Sequence, residues 1–219
     1  MNDRAKELLI RGTLQLGVAL GPAEVGRLAS FATELKKWNR KMNLTAIHDD
    51  EEIVVKHFLD SLTLLKAIGR KGSLLDIGSG AGFPAIPVQI ICHDLRVTSV
   101  DAVEKKILFQ RHAARLLHLG NLTPIHARGE ELAGCFAGRF DWVASRAFSD
   151  LPTFVRIALP LIGERGQIVA MKGKGGRDEA GAARPSLADM GVEVVDVRDF
   201  TLPFSGAGRS LVVMGREKG

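Results

Sequence analysis

The most informative segment of the chain is Leu74-Leu75-Asp76-Ile77-Gly78-Ser79-Gly80-Ala81-Gly82-Phe83-Pro84. An apolar run of strand length leads into a loop with glycine at every second position, and Pro84 can then begin a helix. Glycine adopts positive φ and lets a ligand approach the backbone, because no Cβ is in the way. In open parallel sheets, ligands bind beyond the carboxyl ends of the strands. The segment therefore predicts an α/β domain with a ligand-binding loop.

Further apolar runs of strand length lie on both sides of helix-length segments. They occupy residues 73–77, 96–100, 122–126, 140–145 and 165–171. Strands that alternate with helices form parallel sheets with right-handed crossovers. The runs at 192–197 and 209–214 have no helix between them and predict an antiparallel closing pair at the sheet edge. We expect one mostly parallel α/β domain over residues 71–219.

Residues 1–70 predict a helical extension. Pro22 can begin a helix whose apolar residues recur at steps of three and four from Val25 to Trp38. A second helix follows Asp49, which can cap it while Glu52 completes a capping box, and it ends at Gly69.

The composition is that of a soluble globular protein, with 219 residues, 46% hydrophobic and 25% charged. No apolar run approaches the roughly 18 residues of a membrane span. Cys92 and Cys135 are far apart and form no CxxC pattern, so we expect a reducing cytoplasm and no metal site.

The net charge of +5 is spread along the chain apart from one dense basic cluster. This cluster consists of Lys36, Lys37, Arg40 and Lys41, with no acid among them. It is either a solvated helix face or a contact with a polyanion.

The position of Asp101 indicates which kind of ligand the glycine loop binds. It ends the second predicted strand, 23 residues after Gly78, where a carboxylate can accept hydrogen bonds from both hydroxyls of a ribose. The spacing is not the GxGxxG of dinucleotide enzymes, and no GxxxxGK[ST] is present to hold a triphosphate. A D-x-G-x-G-x-G loop with an acid after the second strand fits S-adenosylmethionine, with Ala102 beside the acid. A purely structural loop is the alternative.

Two further polar residues follow strands at the same edge. Glu130, after the third strand, can accept from the exocyclic amine of adenine, or can simply begin a helix. Arg146, after the fourth strand, can meet a carboxylate or a nucleic-acid phosphate, or form a surface ion pair. Asp76 lies within the first strand, under the loop rather than beyond it.

Several motifs in order resemble one family across nearly the whole chain. They are Lys37-Trp38-Asn39, Met42-Asn43-Leu44-Thr45, His57-Phe58-Leu59-Asp60-Ser61, the loop at 78–87, Ser145-Arg146-Ala147, Met171-Lys172-Gly173 and Arg209-Ser210-Leu211-Val212-Val213. The family is the bacterial glucose-inhibited division protein B family, the small-subunit ribosomal RNA guanine-N7 methyltransferases.

The resemblance implies a Rossmann-like methyltransferase sheet, S-adenosylmethionine as methyl donor and 16S rRNA, free or in an assembling small subunit, as acceptor. It also implies the positions that form the cofactor pocket. These are Gly78, Phe83, Gly129, Glu130 and Arg146, with Asp101 as the ribose acid. The loop and the end of the second strand add Gly80, Gly82 and Ala102 as cofactor candidates. Ala85 and Gly129 depart from the family pattern, which often has glycine and alanine there, and neither departure changes the assignment.

Other positions are candidates for acceptor binding. His57, Asp60 and Ser61 share one helix face at i, i+3 and i+4, which is either a solvent-facing stripe or, by the resemblance, a wall of the guanine pocket. Lys172 and Lys174, in a glycine-rich run, can follow RNA phosphates, as can the cluster at 36–41.

Guanine N7 carries a lone pair and no proton, so its methylation needs in-line positioning but no general base. The segment after the fourth strand lacks the Asn-Pro-Pro-aromatic loop of amino-group methylation, and both cysteines are interpreted as buried filler. A small-molecule methyltransferase and a non-catalytic RNA-binding module remain alternatives. We expect a monomer without membrane association.

Overall fold

The computed structural model describes residues 1–148 and 150–217. Its centre is a seven-stranded sheet in the order β3-β2-β1-β4-β5-β7-β6. The strands are β1 (Gly72–Ile77), β2 (Leu95–Asp101), β3 (Leu122–His126), β4 (Phe140–Ser145), β5 (Ile162–Gly173), β6 (Val192–Thr201) and β7 (Gly208–Arg216). The first five strands pair in parallel, whereas β7 is antiparallel to both β5 and β6. The predicted α/β class and antiparallel closure are confirmed. Strand β7 lies between β5 and the edge strand β6.

Helices cover both faces of this sheet. They are α1 (Asp3–Gln15), α2 (Pro22–Met42), α3 (Asp50–Ile53), α4 (Asp60–Leu62), α5 (Ala85–Ile91), α6 (Glu104–Leu116), α7 (Ala133–Phe136), α8 (Leu151–Ala158) and α9 (Gly176–Ala188). The helix predicted to begin at Pro22 is confirmed as α2. The sequence pattern did not single out α1, where the Asn2 side chain accepts from Ala5 N at 2.8 Å and so caps the helix. No helix within the described residues is long and apolar enough to cross a bilayer.

The second predicted helix is present but irregular. Between α3 and α4 lies a π-helical turn, Val54–Leu59, and a 3-10 turn, Thr63–Lys66, follows α4. Asp49 caps α3 as predicted, accepting from Glu51 N at 2.9 Å and Glu52 N at 3.1 Å. The expected capping box is wrong, because the Glu52 side chain pairs with Lys56 one turn further on. We call residues 50–66 the irregular helix.

One aromatic cluster joins the helical extension to the sheet. The ring of Phe31 on α2 lies 5.8 Å from Phe58 in the irregular helix, 5.3 Å from Phe83 after the glycine loop and 5.9 Å from Phe109 on α6. All four of these residues have at most 4% of their surface exposed. Residues 1–70 therefore share a hydrophobic core with the sheet, and this core holds the extension against the glycine loop. The division at residue 70 stays a prediction.

Candidate active site

The glycine loop has the backbone conformation that its sequence predicts. Gly78, Gly80 and Gly82 all have positive φ, at 75°, 59° and 90°. A Cβ on Gly78 would lie 2.6 Å from the Cβ of Ala147, so only glycine fits there. At Gly80 a Cβ would meet no described atom within 4 Å, which shows that this side of the loop faces open space.

Asp101 holds the loop from the end of β2. Its Oδ2 accepts from Gly80 N at 2.8 Å, and its Oδ1 accepts from Val103 N at 2.9 Å. Lys106 Nζ lies 3.6 Å from Oδ2. Each carboxylate oxygen can accept more than one hydrogen bond, so both oxygens of Asp101 can still accept from hydroxyls of a ligand. The carboxylate is preorganised at the position expected for a ribose contact.

Asp76 is fully buried below the loop, as its place within β1 predicts. Its Oδ2 accepts from Ala85 N at 3.2 Å, whereas Oδ1 has no hydrogen-bond partner among the residues that the structure describes. Burial raises the pKa of this carboxyl from 3.8 to about 7, because desolvation disfavours the charged form. The structure thus places an incompletely satisfied acid beneath the loop.

Three neighbouring cavities follow the carboxyl edge of the sheet. The acid cavity, about 310 Å³, is lined by residues that include Asp101, Ala102, Gly129 and Glu130. The loop cavity, about 190 Å³, lies between the glycine loop and the residues Leu44, Thr45 and His57. The arginine cavity, about 410 Å³, is lined by residues that include Lys56, His57, Asp60, Arg146, Lys172 and Arg209.

Shared walls connect these cavities in a row. The acid and loop cavities have Gly78 and Ala147 in common, and the loop and arginine cavities have His57 and Arg146 in common. Every predicted cofactor residue except Gly82 therefore lines one of the first two cavities. The predicted acceptor residues His57, Asp60 and Lys172 line the third, and His57 lines the second as well. A larger cavity of about 690 Å³ between α1, α2 and the end of α6 contains none of the predicted site residues.

His57 forms a rigid part of the second shared wall. Its ring stacks on Phe83 with centroids 4.3 Å apart and planes inclined by 13°. Its Nε2 lies 2.9 Å from Thr45 Oγ1. Burial, and then the nearby Arg146 guanidinium, lower the pKa of His57 to about 4, so the imidazole is neutral at pH 7.

Asn39 positions the segment that touches His57, a role that the sequence did not reveal. Its Oδ1 accepts from Leu44 N at 2.6 Å and from Thr45 N at 2.9 Å, while Nδ2 donates to Thr45 O at 2.8 Å. The amide is buried on α2, directly beside the basic cluster in sequence. It therefore fixes one wall of the loop cavity.

Asp60 joins two arginines from different strand ends. Arg146 Nη1 donates to Asp60 Oδ2 at 2.8 Å, and Arg209 Nε donates to Asp60 Oδ1 at 2.6 Å. Arg146 thus forms an ion pair within the chain, as in the alternative interpretation, but the pair is mostly buried rather than on the surface. Arg209 was part of a family motif but was missing from the predicted site, because it lies 149 residues from Asp60 along the chain.

The other acceptor candidates divide into buried and exposed residues. His57, Asp60 and Ser61 are all buried, so they are not a solvent-facing stripe. Ser61 is completely buried and lines none of the three cavities. Lys172 lines the arginine cavity and pairs with Glu179 at 2.8 Å, whereas Lys174 is exposed.

The basic cluster at 36–41 has two kinds of member. Lys36 Nζ lies 2.5 Å from Asp50 Oδ1, and Lys37 Nζ lies 3.5 Å from Glu34. Arg40 and Lys41 are exposed in the last turns of α2. Three members of the cluster are therefore on the surface. They are Arg40, Lys41 and Lys37, whose side chain is 70% exposed.

The interpretation of both cysteines as buried filler is half correct. Cys92 is 2% exposed, but Cys135 is exposed on the short helix α7. The prediction for Cys135 is wrong because α7 has no buried residue of its own.

Comparison with known proteins agrees with this geometry. A model of the family described as "rRNA small subunit methyltransferase G" (GidB) matches residues 25–206. Ribosomal RNA small subunit methyltransferase G of Geobacter metallireducens is 63% identical over 217 residues, covering 99% of each chain. The Deinococcus radiodurans protein of the same name is 40% identical over 222 residues, covering 100% of this chain and 87% of that one.

Solved structures share the fold at low sequence identity. A SAM-dependent methyltransferase from Aquifex aeolicus superposes with a TM-score of 0.59 at 16% identity, covering 84% of this chain and 97% of that one. TYW2 of M. jannaschii, in complex with AdoMet, gives a TM-score of 0.57 at 14% identity, covering 72% and 74%. These likenesses confirm the Rossmann-like sheet. The family match and the close relatives confirm the resemblance found in the motifs, and the chain belongs to the rRNA small subunit methyltransferase G family.

Proposed function

We propose that the protein transfers the methyl group of S-adenosylmethionine to N7 of a specific guanine in the 16S rRNA of the small ribosomal subunit. The observation that carries this proposal is the row of three cavities with shared walls. A ligand that spans the first two cavities has one end at the wall formed by His57 and Arg146. An acceptor in the third cavity meets that end at the same wall.

The residues of the first two cavities fit S-adenosylmethionine. Asp101 would accept from the ribose hydroxyls, and Glu130, at the other side of the acid cavity, would accept from the adenine amine. The open side of Gly80 lets the ligand lie against the loop. When bound, the cofactor supplies a methyl group on a positively charged sulfur.

The wall between the loop and arginine cavities suits an acceptor atom that carries no proton. His57 is neutral at pH 7, and its Nε2 is engaged with Thr45. Arg146 donates to Asp60, and both oxygens of Asp60 accept from arginines. These groups can orient and enclose a base. Nδ1 of His57 has no hydrogen-bond partner among the described residues, but the pKa of about 4 makes this imidazole a weak general base. Guanine N7 requires none, because it attacks with its own lone pair once the reacting atoms lie about 3–3.5 Å apart.

Ribosomal RNA as acceptor is supported by the family and by the charge beside the site. Arg40 and Lys41 lie on the exposed surface of α2, whose last turns also carry Asn39. Asn39 holds the segment that lines the loop cavity. RNA that contacts this basic surface therefore lies next to the row of cavities. We further propose that the protein acts as a cytoplasmic monomer.

Transfer of a labelled methyl group tests the proposal. The purified protein, incubated with S-adenosylmethionine carrying a tritiated methyl group, should label rRNA of the small subunit, either bare or in subunits. Binding of S-adenosylhomocysteine without labelling of any RNA would favour a small-molecule methyltransferase. Binding of RNA without measurable S-adenosylhomocysteine affinity by calorimetry would favour a non-catalytic RNA-binding module.

A further inference from the structure

The arginine cavity holds a positive charge that nearby carboxylates do not neutralise. Its cationic side chains are Lys56, Arg146, Lys172 and Arg209. Glu52 pairs with Lys56, Glu179 pairs with Lys172, and the two arginines share the single carboxylate of Asp60. Within residues 1–148 and 150–217, three carboxylates thus pair with these four cations, and the surplus charge belongs to the arginine pair. A partly buried surplus charge of this kind favours an oxyanion as ligand.

The geometry around Asp60 leaves one arginine available for that ligand. The Asp60 side chain is 11% exposed and lies between Arg146 and Arg209. Arg209 uses Nε on Asp60 and Nη1 on Gly208 O at 3.1 Å, and its Nη2 donates to no acceptor within the described part of the chain. Its side chain is 28% exposed and lines the arginine cavity. The Arg209 guanidinium is therefore held through Nε and Nη1, and its Nη2 is available to a ligand.

Two sources could supply an oxyanion here, namely a phosphate of the RNA and the carboxylate of the cofactor. Arg146 lines both the loop cavity and the arginine cavity, so it faces the cofactor side. Arg209 lines the arginine cavity but not the loop cavity. This difference assigns Arg209 to the acceptor. A planar guanidinium binds phosphate oxygens in a forked geometry, which fixes direction as well as charge.

We propose that Arg209 binds a backbone phosphate next to the target guanine, and that Asp60 is the positioning residue that orients Arg209. The inference rests on the proposed function, because it needs an RNA acceptor in the arginine cavity. In this role Asp60 acts through Arg209, because its Oδ1 accepts from Arg209 Nε. The phosphate sets how deeply the base enters the cavity.

Interference by ethylated phosphates tests this assignment on the full rRNA. Ethylation neutralises single phosphates at random, and molecules that the protein has methylated are then separated and mapped. With the parent protein, ethylation of one phosphate flanking the target guanine should block methylation. Arg209→Gln should lower kcat/KM for RNA about tenfold to a hundredfold, and ethylation of that same phosphate should cost this variant nothing further.

Matched variants separate this effect from a general loss of charge or fold. Arg198→Gln also removes one arginine that pairs with an aspartate, Asp196 at 2.6 Å, but on the exposed strand β6. It should keep the parent interference pattern. Arg209→Lys keeps the charge and should restore part of the affinity for RNA, and it replaces Arg209→Gln if that variant does not fold. Affinity for S-adenosylhomocysteine should be the same in all of them.

The role of Asp60 is tested by combining substitutions. Asp60→Asn should raise the KM for RNA about tenfold with a smaller change in kcat, because the arginine is misoriented rather than absent. The double variant Asp60→Asn/Arg209→Gln should then have the KM of Arg209→Gln alone. A structural defect would instead lower kcat and add to the effect of Arg209→Gln.

Three results would overturn the inference. One is a parent protein that methylates RNA with no interference from any phosphate flanking the target. Another is persistence of the interference in Arg209→Gln. The third is a loss of S-adenosylhomocysteine affinity in Arg209→Gln with the RNA parameters unchanged, which would assign the oxyanion to the cofactor. A parent protein that methylates no RNA would instead contradict the proposed function itself.

Discussion

Asp101 is a structural residue as well as a candidate ligand of the ribose. Its two oxygens accept from the backbone of the glycine loop and from the start of α6, so the same carboxylate shapes the pocket and would bind the cofactor. Sequence spacing predicted the ligand role but not the two backbone hydrogen bonds. The bond from Val103 N is a local turn of the Asx type, whereas the bond from Gly80 N depends on how the loop packs against the end of β2, 21 residues further along the chain.

Substitution of Asp101 should weaken cofactor binding. Asp101→Ala removes a charged acceptor, which should cost about 1.5–3 kcal/mol, or roughly ten- to a hundredfold in affinity for S-adenosylhomocysteine. Isothermal titration calorimetry measures this directly. Asp101→Asn, which keeps the size and one acceptor, is the control for disruption of the loop. Unchanged affinity in a folded Asp101→Ala protein would remove the ribose role.

Asp76 and His57 should give the stability of the protein opposite pH dependences. Asp76 keeps its proton up to about pH 7 when folded but has an ordinary pKa of 3.8 when unfolded, so its contribution to the free energy of unfolding falls as pH rises across that interval. The pKa of His57 is lowered from 6.5 to about 4, so its contribution rises with pH between those values. In the parent protein the two effects partly cancel.

Asp76→Asn removes the first effect and leaves the second. The free energy of unfolding of this variant should therefore rise more steeply with pH between about 4 and 6.5 than that of the parent. Urea denaturation at a series of pH values over this interval provides the measurement. Parallel curves for variant and parent would show that Asp76 does not hold a proton in the folded protein.

At the level of secondary-structure elements, α2 connects an exposed basic surface with the site. Its buried face contributes Phe31 to the aromatic cluster and Asn39 to the wall of the loop cavity. Its exposed face carries Lys37, Arg40 and Lys41. Lys36 differs from them, because its pairing with Asp50 ties α2 to the irregular helix.

Neutralising the exposed cations of α2 should weaken RNA binding without affecting the cofactor. The triple variant Lys37→Gln/Arg40→Gln/Lys41→Gln should lower affinity for rRNA and flatten its salt dependence, by about 0.7–0.9 in the log–log slope for each phosphate that the variant no longer neutralises. A matched triple variant, Arg70→Gln/Lys71→Gln/Arg96→Gln, removes the same charge near the amino ends of β1 and β2, away from the loop. Equal slopes for both variants would make the α2 cluster an ordinary solvated face.

At the scale of the whole molecule, features with a short-range signal were predictable and long-range pairings were not. The strands, the glycine loop and the Asp49 cap follow from periodicity, glycine spacing and capping chemistry. No short-range pattern predicted the π-helical turn at 54–59. The contacts of Asp60 with Arg146 and Arg209 join residues that are 86 and 149 positions apart in the chain. The candidate cofactor residues therefore came from the sequence, whereas Arg209, Asn39 and the row of cavities required the structure.

The residues that line the cavities also bear on whether the acceptor atom can lose a proton during methylation. Among the described residues at the wall between the loop and arginine cavities, His57 has an unpartnered Nδ1, but its pKa of about 4 makes it a weak general base. An exocyclic amine or a pyrimidine carbon would have to lose a proton during methylation, whereas N7 keeps its ring substituents and becomes cationic. The proposed N7 acceptor therefore gives a positively charged N7-methylguanine as product.

The most direct measurement locates this product in the RNA. Small-subunit rRNA treated with the protein and S-adenosylmethionine is reduced with borohydride and then exposed to aniline, which cleaves the chain at N7-methylguanine because its glycosidic and ring bonds are labile. We predict cleavage at one guanine, absent when the cofactor is omitted. Methyl incorporation without cleavage, with the label on an exocyclic amine or on C5 of a pyrimidine, would contradict the assignment of N7 as the acceptor.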